Sequence, residues 1–200
     1  MRVLGIDPGL RATGWGVIDV AGGRLSHIAN GVIKPSPTLP DTQRLCRIAD
    51  DLLAVIEAHR PTRAAIEEIF VAKSAKSALR LGMARGVAIM ICGQTGLEVH
   101  ELAARLVKKS ITGTGTADKI QIQDMVSRLL GVTPANADAA DALAIAIAAS
   151  NGAGLGIADD AGKAASVRVG STGNADAKNG LSQAIAAALA RDAQDNEGNP

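Results

Sequence analysis

Four acidic residues of this chain interrupt segments that are otherwise apolar or rich in glycine and alanine, and their placement constrains the fold strongly. They are Asp7, Glu67, Asp138 and Asp141. A carboxylate that is buried without a partner is costly, so such acids need a cation, a hydrogen-bond network or a functional reason. Because the four are spread along the chain, the sequence predicts a fold that assembles them into one metal site.

Length and composition indicate a soluble globular protein. The chain has 200 residues, of which 47% are hydrophobic, and its two aromatic residues are Trp15 and Phe70. Ala, Ile, Leu and Val must therefore build the core. No apolar run is long enough to span a bilayer, and Asp7 interrupts the first one before it could act as a signal sequence. Cys46 and Cys92 lie in apolar helical patterns and are predicted to be buried free thiols, which favours a cytoplasmic protein without membrane contact.

The charge distribution indicates a basic surface around an acidic centre. Residues 1–150 carry 17 Lys and Arg against 14 Asp and Glu, and the balance becomes 17 against 10 if a metal neutralises the four acids. Such a surface suits a polyanionic substrate. Taken alone, this basicity is also ordinary for a protein that binds no nucleic acid.

The order of the predicted elements indicates an α/β fold with a mixed sheet flanked by helices, because an antiparallel meander is followed by strands that alternate with helices. Periodicity and turn residues define the boundaries. The strands are predicted at residues 2–7, 14–20, 25–34, 64–70 and 97–100. The helices are predicted at residues 45–59, 73–93, 102–109, 118–130 and 136–150.

The composition changes near residue 150. Beyond it Gly, Ala, Asp and Asn dominate, apart from a weak helical pattern over residues 181–191. We predict a folded domain at residues 1–152 and a mostly disordered tail at residues 153–200.

Asp138 and Asp141 lie three residues apart in a predicted helix, which places both carboxylates on one face. The alternative is that they follow an N-cap at Asn136, where negative charge favours the helix dipole. That alternative is weaker for Asp141, because Ile145 lies one turn further on the same face and should point inward.

The other two acids are predicted to lie on strands. Asp7 ends a strand before a Pro-Gly turn, so its side chain is expected at the edge of the sheet, although an Asp can also simply organise such a turn. Glu67 and Glu68 occupy the middle of an apolar strand, where alternation sends them to opposite faces. One of the two is expected to face the site, and alternation alone does not choose between them.

A site of carboxylates without His or Cys favours hard cations such as Mg²⁺ or Mn²⁺. Paired ions of this kind activate water and stabilise the leaving oxygen in phosphodiester hydrolysis. The residues therefore predict a metal-dependent phosphodiesterase.

Four segments identify a family by their order and spacing. They are Gly5-Ile6-Asp7-Pro8-Gly9, Ala65-Ile66-Glu67, Ala84-Arg85-Gly86 and Ala137-Asp138-Ala139-Ala140-Asp141-Ala142-Leu143-Ala144. Together they resemble the RuvC family of Holliday junction resolvases over roughly residues 1–152. The resemblance implies a ribonuclease H-like fold and a homodimer that cuts two opposed strands of a four-way DNA junction during recombination and repair. It also implies two Mg²⁺ ions per site, replaceable by Mn²⁺, and the branch-migration proteins RuvA and RuvB as partners.

The same resemblance assigns the family's four acids to Asp7, Glu67, Asp138 and Asp141, and so selects Glu67 over Glu68. Some members have His at one of the two positions in the last helix, where this chain has Asp at both. Leu10 departs from the family, because many members have a small polar residue after the turn.

The resemblance also implies DNA contacts. Phe70 aligns with an aromatic residue that stacks on an unpaired base at the junction centre, although core filling is the commoner role of Phe. Lys108 and Lys119 match positions near the scissile phosphate, on either side of a glycine-rich loop. Further candidate contacts to the DNA backbone, each with a solvated surface charge as its alternative, are Lys73, Lys109, Lys76, Arg80 and Arg11.

Two cuts require two sites, so a two-fold dimer is expected, with the apolar half of the helix predicted at residues 73–93 as its interface. Three other classes of protein share some of these features. YqgF nucleases share the first hairpin but are shorter and lack the last acidic helix. Sugar kinases and actin-like ATPases need two such domains, and a junction-binding module without catalysis would not need all four acids.

Overall fold

The computed structural model describes residues 1–68 and 74–152, in which a five-stranded sheet has helices on both faces. Strands β1 to β5 are Arg2–Asp7, Thr13–Ala21, Arg24–Ile33, Arg63–Glu67 and Glu98–Leu102. Helices α1 to α5 are Asp41–His59, Ala75–Gln94, Ala104–Thr112, Lys119–Leu130 and Ala137–Ser150. The predicted α/β class with a mixed sheet is confirmed.

The sheet has the strand order β3-β2-β1-β4-β5. The pairs β1–β2 and β2–β3 are antiparallel, whereas β1–β4 and β4–β5 are parallel. Ile6 of β1 pairs with Ile66 of β4. The residues that follow them, Asp7 and Glu67, therefore end neighbouring strands at the same edge of the sheet.

Two hydrophobic clusters lie on opposite faces of the sheet. One joins the sheet to α1 and α2, and the other joins it to α3, α4 and the alanine-rich α5. Along β1, Val3 belongs to the α5 side, whereas Leu4 and Ile6 belong to the α1 side. This alternation is expected of a strand that is covered on both faces.

Several predicted boundaries are wrong, and two of them lie close to the predicted acids. β4 ends at Glu67, so Glu67 closes the strand instead of lying in its middle, and Glu68 follows the strand. Leu102 was predicted to begin a helix, but it is the last residue of β5 and is fully buried in the cluster with α5. Its pairing with Glu67 outweighs the local helical pattern.

The prediction that Cys46 is buried is also wrong, whereas Cys92 is buried as predicted. Helix α1 buries one stripe at four-residue spacing, made of Arg44, Ile48, Leu52 and Ile56. Cys46 lies two residues from that stripe and therefore points away from the core.

Helix α2 is only partly buried within this chain. It buries a single face made of Ala84, Ala88, Ile91 and Cys92. Leu79 is 66% exposed and Met90 is 49% exposed. None of the described helices combines the length and apolar character needed to cross a membrane. The predicted tail, at residues 153–200, lies outside the described residues, and the domain boundary stays a prediction.

Candidate active site

Strand alternation in the folded sheet directs Asp7 and Glu67 toward α5. Val3 of β1 and Ala65 of β4 both pack in the cluster on the α5 side. Asp7 and Glu67 lie at even spacing from these residues, so their side chains leave the sheet on the same side. The choice of Glu67 over Glu68 thus gains physical support from the orientation of β4.

Glycines on β1 and β2 allow the backbone of α5 to lie directly on the sheet. A Cβ added at Gly5 would be 2.0 Å from the carbonyl oxygen of Ala142, and one added at Gly14 would be 2.1 Å from the carbonyl oxygen of Asp138. Any side chain at these two positions would push α5 away. The glycines therefore set the distance between α5 and the end of β1.

The start of α5 is fixed by two asparagines. The Asn136 side chain accepts a hydrogen bond from the backbone N–H of Ala139 at 3.0 Å, which makes it the N-cap that the sequence predicted. Asn30 of β3 accepts a hydrogen bond from the backbone N–H of Ala135 at 3.0 Å. These bonds hold the first turn of α5, which carries Asp138, against the sheet.

Three of the four predicted acids converge. One carboxylate oxygen from each of Asp7, Asp138 and Asp141 lies within 4.8 Å of the others, and all three residues are partly buried. Oxygen ligands at this spacing suit a hard divalent cation after small side-chain adjustments. Glu67 lies beside this group and lines the same cavity as Asp141.

The electrostatics of the carboxylate group favour a cation. Burial, followed by the charges of Asp141, Glu67 and Asp138, raises the pKa of Asp7 to about 7. Burial and the charge of Asp141 also raise the pKa of Glu67. Negative charges at short range oppose each other's ionisation. A bound cation would therefore stabilise the ionised carboxylates.

Lys119 makes direct contact with the acidic group. Its Nζ donates a hydrogen bond to Oδ2 of Asp141 at 2.6 Å, and this bond raises the pKa of Lys119. Lys119 begins α4, where Asp118 and Gln121 form a reciprocal capping box. The cap fixes the backbone from which Lys119 reaches the site.

A cavity of about 250 Å³ lies beside the carboxylates. Its charged lining is made of Glu67, Asp141, Lys108 and Lys119, and apolar residues of α3, α4 and α5 complete it. The ammonium groups of Lys108 and Lys119 thus line the same cavity as the carboxylates of Glu67 and Asp141. This arrangement can hold a phosphate between a metal site and two ammonium groups.

Among the described residues, the other predicted DNA contacts do not line this cavity. Lys109 is exposed on α3 and does not line it. Phe70 and Lys73 lie outside the described residues. Asn30, whose bond to Ala135 holds the start of α5, was not predicted from the sequence.

Comparisons with known proteins agree with this geometry. The model of the family described as "Crossover junction endodeoxyribonuclease RuvC" matches residues 3–149. A relative of that name from Maricaulis maris is 55% identical over 147 residues, covering 74% of this chain and 89% of the relative. One from Zymomonas mobilis is 53% identical over 148 residues, with the same coverages.

Solved structures give the same result. The structure titled "T. thermophilus RuvC in complex with Holliday junction substrate" has a TM-score of 0.73 and 34% identity, covering 78% of this chain and 96% of that chain. The yeast mitochondrial resolvase Ydc2, with a TM-score of 0.53 and 12% identity, covers 73% of this chain and 77% of that chain and shares the fold alone. The predicted ribonuclease H-like arrangement is thereby confirmed. The chain belongs to the crossover junction endodeoxyribonuclease RuvC family.

Proposed function

We propose that this chain resolves four-way DNA junctions by paired, symmetric, metal-dependent nicks in two opposed strands. The observation that carries the proposal is the convergence of Asp7, Asp138 and Asp141 within 4.8 Å, in a chain of the resolvase family. The related Thermus structure, which is described as bound to a Holliday junction, supports the choice of substrate. Family membership sets aside the YqgF and kinase alternatives.

Asp7, Glu67, Asp138 and Asp141 are the residues that would hold two Mg²⁺ ions. The all-oxygen donor set and the raised pKa of Asp7 fit such ions, and Mn²⁺ has the same ligand preference. Bound Mg²⁺ would supply an activated water and stabilise the leaving oxygen. The carboxylates would hold the cations, and their oxygen atoms favour hard ions over soft ones.

Lys119 and Lys108 are proposed to bind the scissile phosphate from the opposite side of the cavity. An ammonium group there neutralises negative charge that develops on the phosphate oxygens. Its hydrogen bond to Asp141 already holds the ammonium group of Lys119 beside the carboxylates. Phe70, Lys73 and Lys109 stay proposed DNA contacts that rest on the family resemblance.

A synthetic four-way junction tests the proposed function. With Mg²⁺ we expect nicks at symmetric positions in two opposed strands, no cutting of a linear duplex of the same sequence, and none in EDTA. Equal cutting of the linear duplex would make the protein a general nuclease. Binding of the junction without any cutting in Mg²⁺ or Mn²⁺ would favour the non-catalytic binding module.

Metal binding is expected to weaken below about pH 7. A proton on Asp7 must leave before a cation binds, so affinity should fall about tenfold for each pH unit below the pKa of about 7. The pKa of Asp7 is higher in the folded protein than in the unfolded chain. The free energy of unfolding of the metal-free protein should therefore fall as the pH rises from about 4 to about 7. Mn²⁺ titration calorimetry across this pH range, with Asp7→Asn as the control, measures how the metal affinity depends on pH. An affinity that does not change with pH would contradict the assignment.

We infer that the protein acts as a homodimer through the exposed face of α2. Leu79 and Met90 are exposed on this helix, and Gly82 and Gly86 between them have open space above their backbone. Apolar side chains flanking glycines allow a second helix to approach closely. A two-fold pair of sites supplies the two cuts that resolution requires. RuvA and RuvB are proposed partners on the resemblance alone.

Met90→Arg tests the dimer. A charge placed in the proposed interface should convert the protein to monomer at micromolar concentration, as measured by sedimentation, and paired nicking should be replaced by single nicks. Leu129→Arg on α4 is the matched control. Leu129 is 41% exposed and lies outside α2, so this substitution should leave the dimer intact. A Met90→Arg variant that remains dimeric would remove α2 from the interface.

A further inference from the structure

A buried arginine lies behind the turn that carries Asp7. Arg44 is only 7% exposed and occupies the first position of the buried stripe of α1, where the following positions are Ile48, Leu52 and Ile56. Burying a guanidinium is costly unless it is paired and hydrogen-bonded. An apolar side chain would continue the stripe at lower cost, so packing alone does not explain an arginine at this position.

The partners of Arg44 point to the turn between β1 and β2. Its Nη2 donates a buried hydrogen bond to the carbonyl oxygen of Leu10 at 2.7 Å. Leu10 lies three residues after Asp7, and its side chain is itself buried in the cluster with α1. Because Leu10 is a core residue, this part of the turn faces the protein interior.

The turn behaves as one closed unit. The hydroxyl of Thr13 donates to the carbonyl oxygen of Gly9 at 2.9 Å and accepts from its N–H at 3.3 Å. A Cβ at Gly9 would be 2.4 Å from the carbonyl oxygen of Ala12, so the backbone of the turn lies close against itself. The hydrogen bond from Arg44 thus reaches a turn whose two sides are tied together and which follows directly from the end of β1.

A second contact orients the guanidinium. Oδ1 of Asp41 lies 3.5 Å from Nη1 of Arg44, and Oδ2 of Asp41 accepts a hydrogen bond from Nε of Arg80 at 3.0 Å. Asp41 thus links Arg44 to α2. The guanidinium that donates to Leu10 is therefore also contacted by Asp41 of its own helix. Asp41 in turn is bonded to Arg80 of α2.

We propose that Arg44 is a positioning residue that places the carboxylate of Asp7 for metal binding. This inference rests on the proposed function, because it assigns Arg44 to the same metal site. Arg44 acts through the Leu10 carbonyl and the closed turn, and it does not line the cavity beside the carboxylates. Removing a residue that orients a metal ligand typically lowers metal affinity or activity tenfold to a hundredfold.

Arg44→Met tests the proposal, because Met fills the buried stripe but cannot donate to Leu10. We expect Mn²⁺ affinity, measured by calorimetry without DNA, to fall about tenfold. The kcat for junction cleavage should fall and recover in part at higher Mg²⁺, with KM for the junction little changed. Arg44→Lys, which keeps one donor, should recover part of the affinity. Arg47→Met, one turn along on the exposed face and paired with Asp51, is the matched control and should bind Mn²⁺ as the wild type does.

The outcomes separate positioning from folding. A purely structural role would lower the melting temperature and leave the Mn²⁺ affinity of the folded protein unchanged, and that result would overturn the proposal. If Arg44→Met does not fold, Asp41→Asn replaces it as the test variant. A loss of Mn²⁺ affinity smaller than about tenfold would support the positioning role of Arg44, and wild-type affinity would refute that role. Failure of the wild type to cut junctions would refute the proposed function, whereas the Mn²⁺ titrations judge Arg44 separately.

Discussion

Asp7→Asn is expected to reduce junction cleavage by a factor of about 10³ or more while leaving junction binding largely intact, because a proposed metal ligand loses its charge. Asn has almost the same shape as Asp, so the turn and the end of β1 should keep their positions. Cleavage under single-turnover conditions, together with a gel-shift measurement of junction binding in Ca²⁺, separates chemistry from binding.

The same substitution should stabilise the metal-free protein. Burial and three neighbouring carboxylates raise the pKa of Asp7 to about 7, so its ionisation at higher pH opposes folding. Removing that charge should raise the free energy of unfolding in EDTA at about pH 8 by on the order of 2 kcal/mol, after allowance for partial exposure. Saturating Mn²⁺ should then stabilise the wild type and have little effect on the variant.

Asp51→Asn is the matched control, because Asp51 lies on α1 and pairs with the exposed Arg47. It should leave cleavage unchanged and shift stability by less than about 1 kcal/mol. Full cleavage by Asp7→Asn in Mg²⁺ would contradict the assigned site. A loss of cleavage accompanied by lower metal-free stability would indicate that Asp7 mainly supports the turn.

Periodicity and turn residues were sufficient to predict the order of the strands and helices. The sequence also placed Asp138 and Asp141 on one helix face and identified Asn136 as the cap of that helix, because these are local properties of a helix. Ile145 was expected to point inward on the same helix, and it is buried together with the other residues at positions 142–149. Such features depend on residues that are near in sequence.

Properties that depend on distant partners could not be predicted from the residues alone. The choice between Glu67 and Glu68 depends on which face of β4 meets α5, and that follows from pairing with β1 and β5. The exposure of Cys46 depends on which side of α1 faces the sheet. The close approach of Gly14 to Asp138 joins residues more than a hundred positions apart, so no local pattern contains it.

Gly14→Ala tests that close approach and is expected to damage both stability and metal binding. The added Cβ would be 2.1 Å from the carbonyl oxygen and 2.6 Å from the carbonyl carbon of Asp138. These are backbone atoms, which cannot rotate away as a side chain could, so the start of α5 must move away from β1 and β2. Overpacking of this kind costs about 1–3 kcal/mol or more, and unfolding in urea measures it.

The shift should also separate Asp138 from Asp7 and weaken Mn²⁺ binding about tenfold in the protein that remains folded, because metal sites tolerate little displacement of a ligand. Gly93→Ala is the matched control: it lies in the last turn of α2 with nothing within 4 Å of an added Cβ. There the same methyl group should stabilise the helix by about 0.5–1 kcal/mol and leave Mn²⁺ binding unchanged. If Gly14→Ala matched this control in stability and affinity, α5 would not lie against β2 at this point. The glycine would then have no part in placing Asp138.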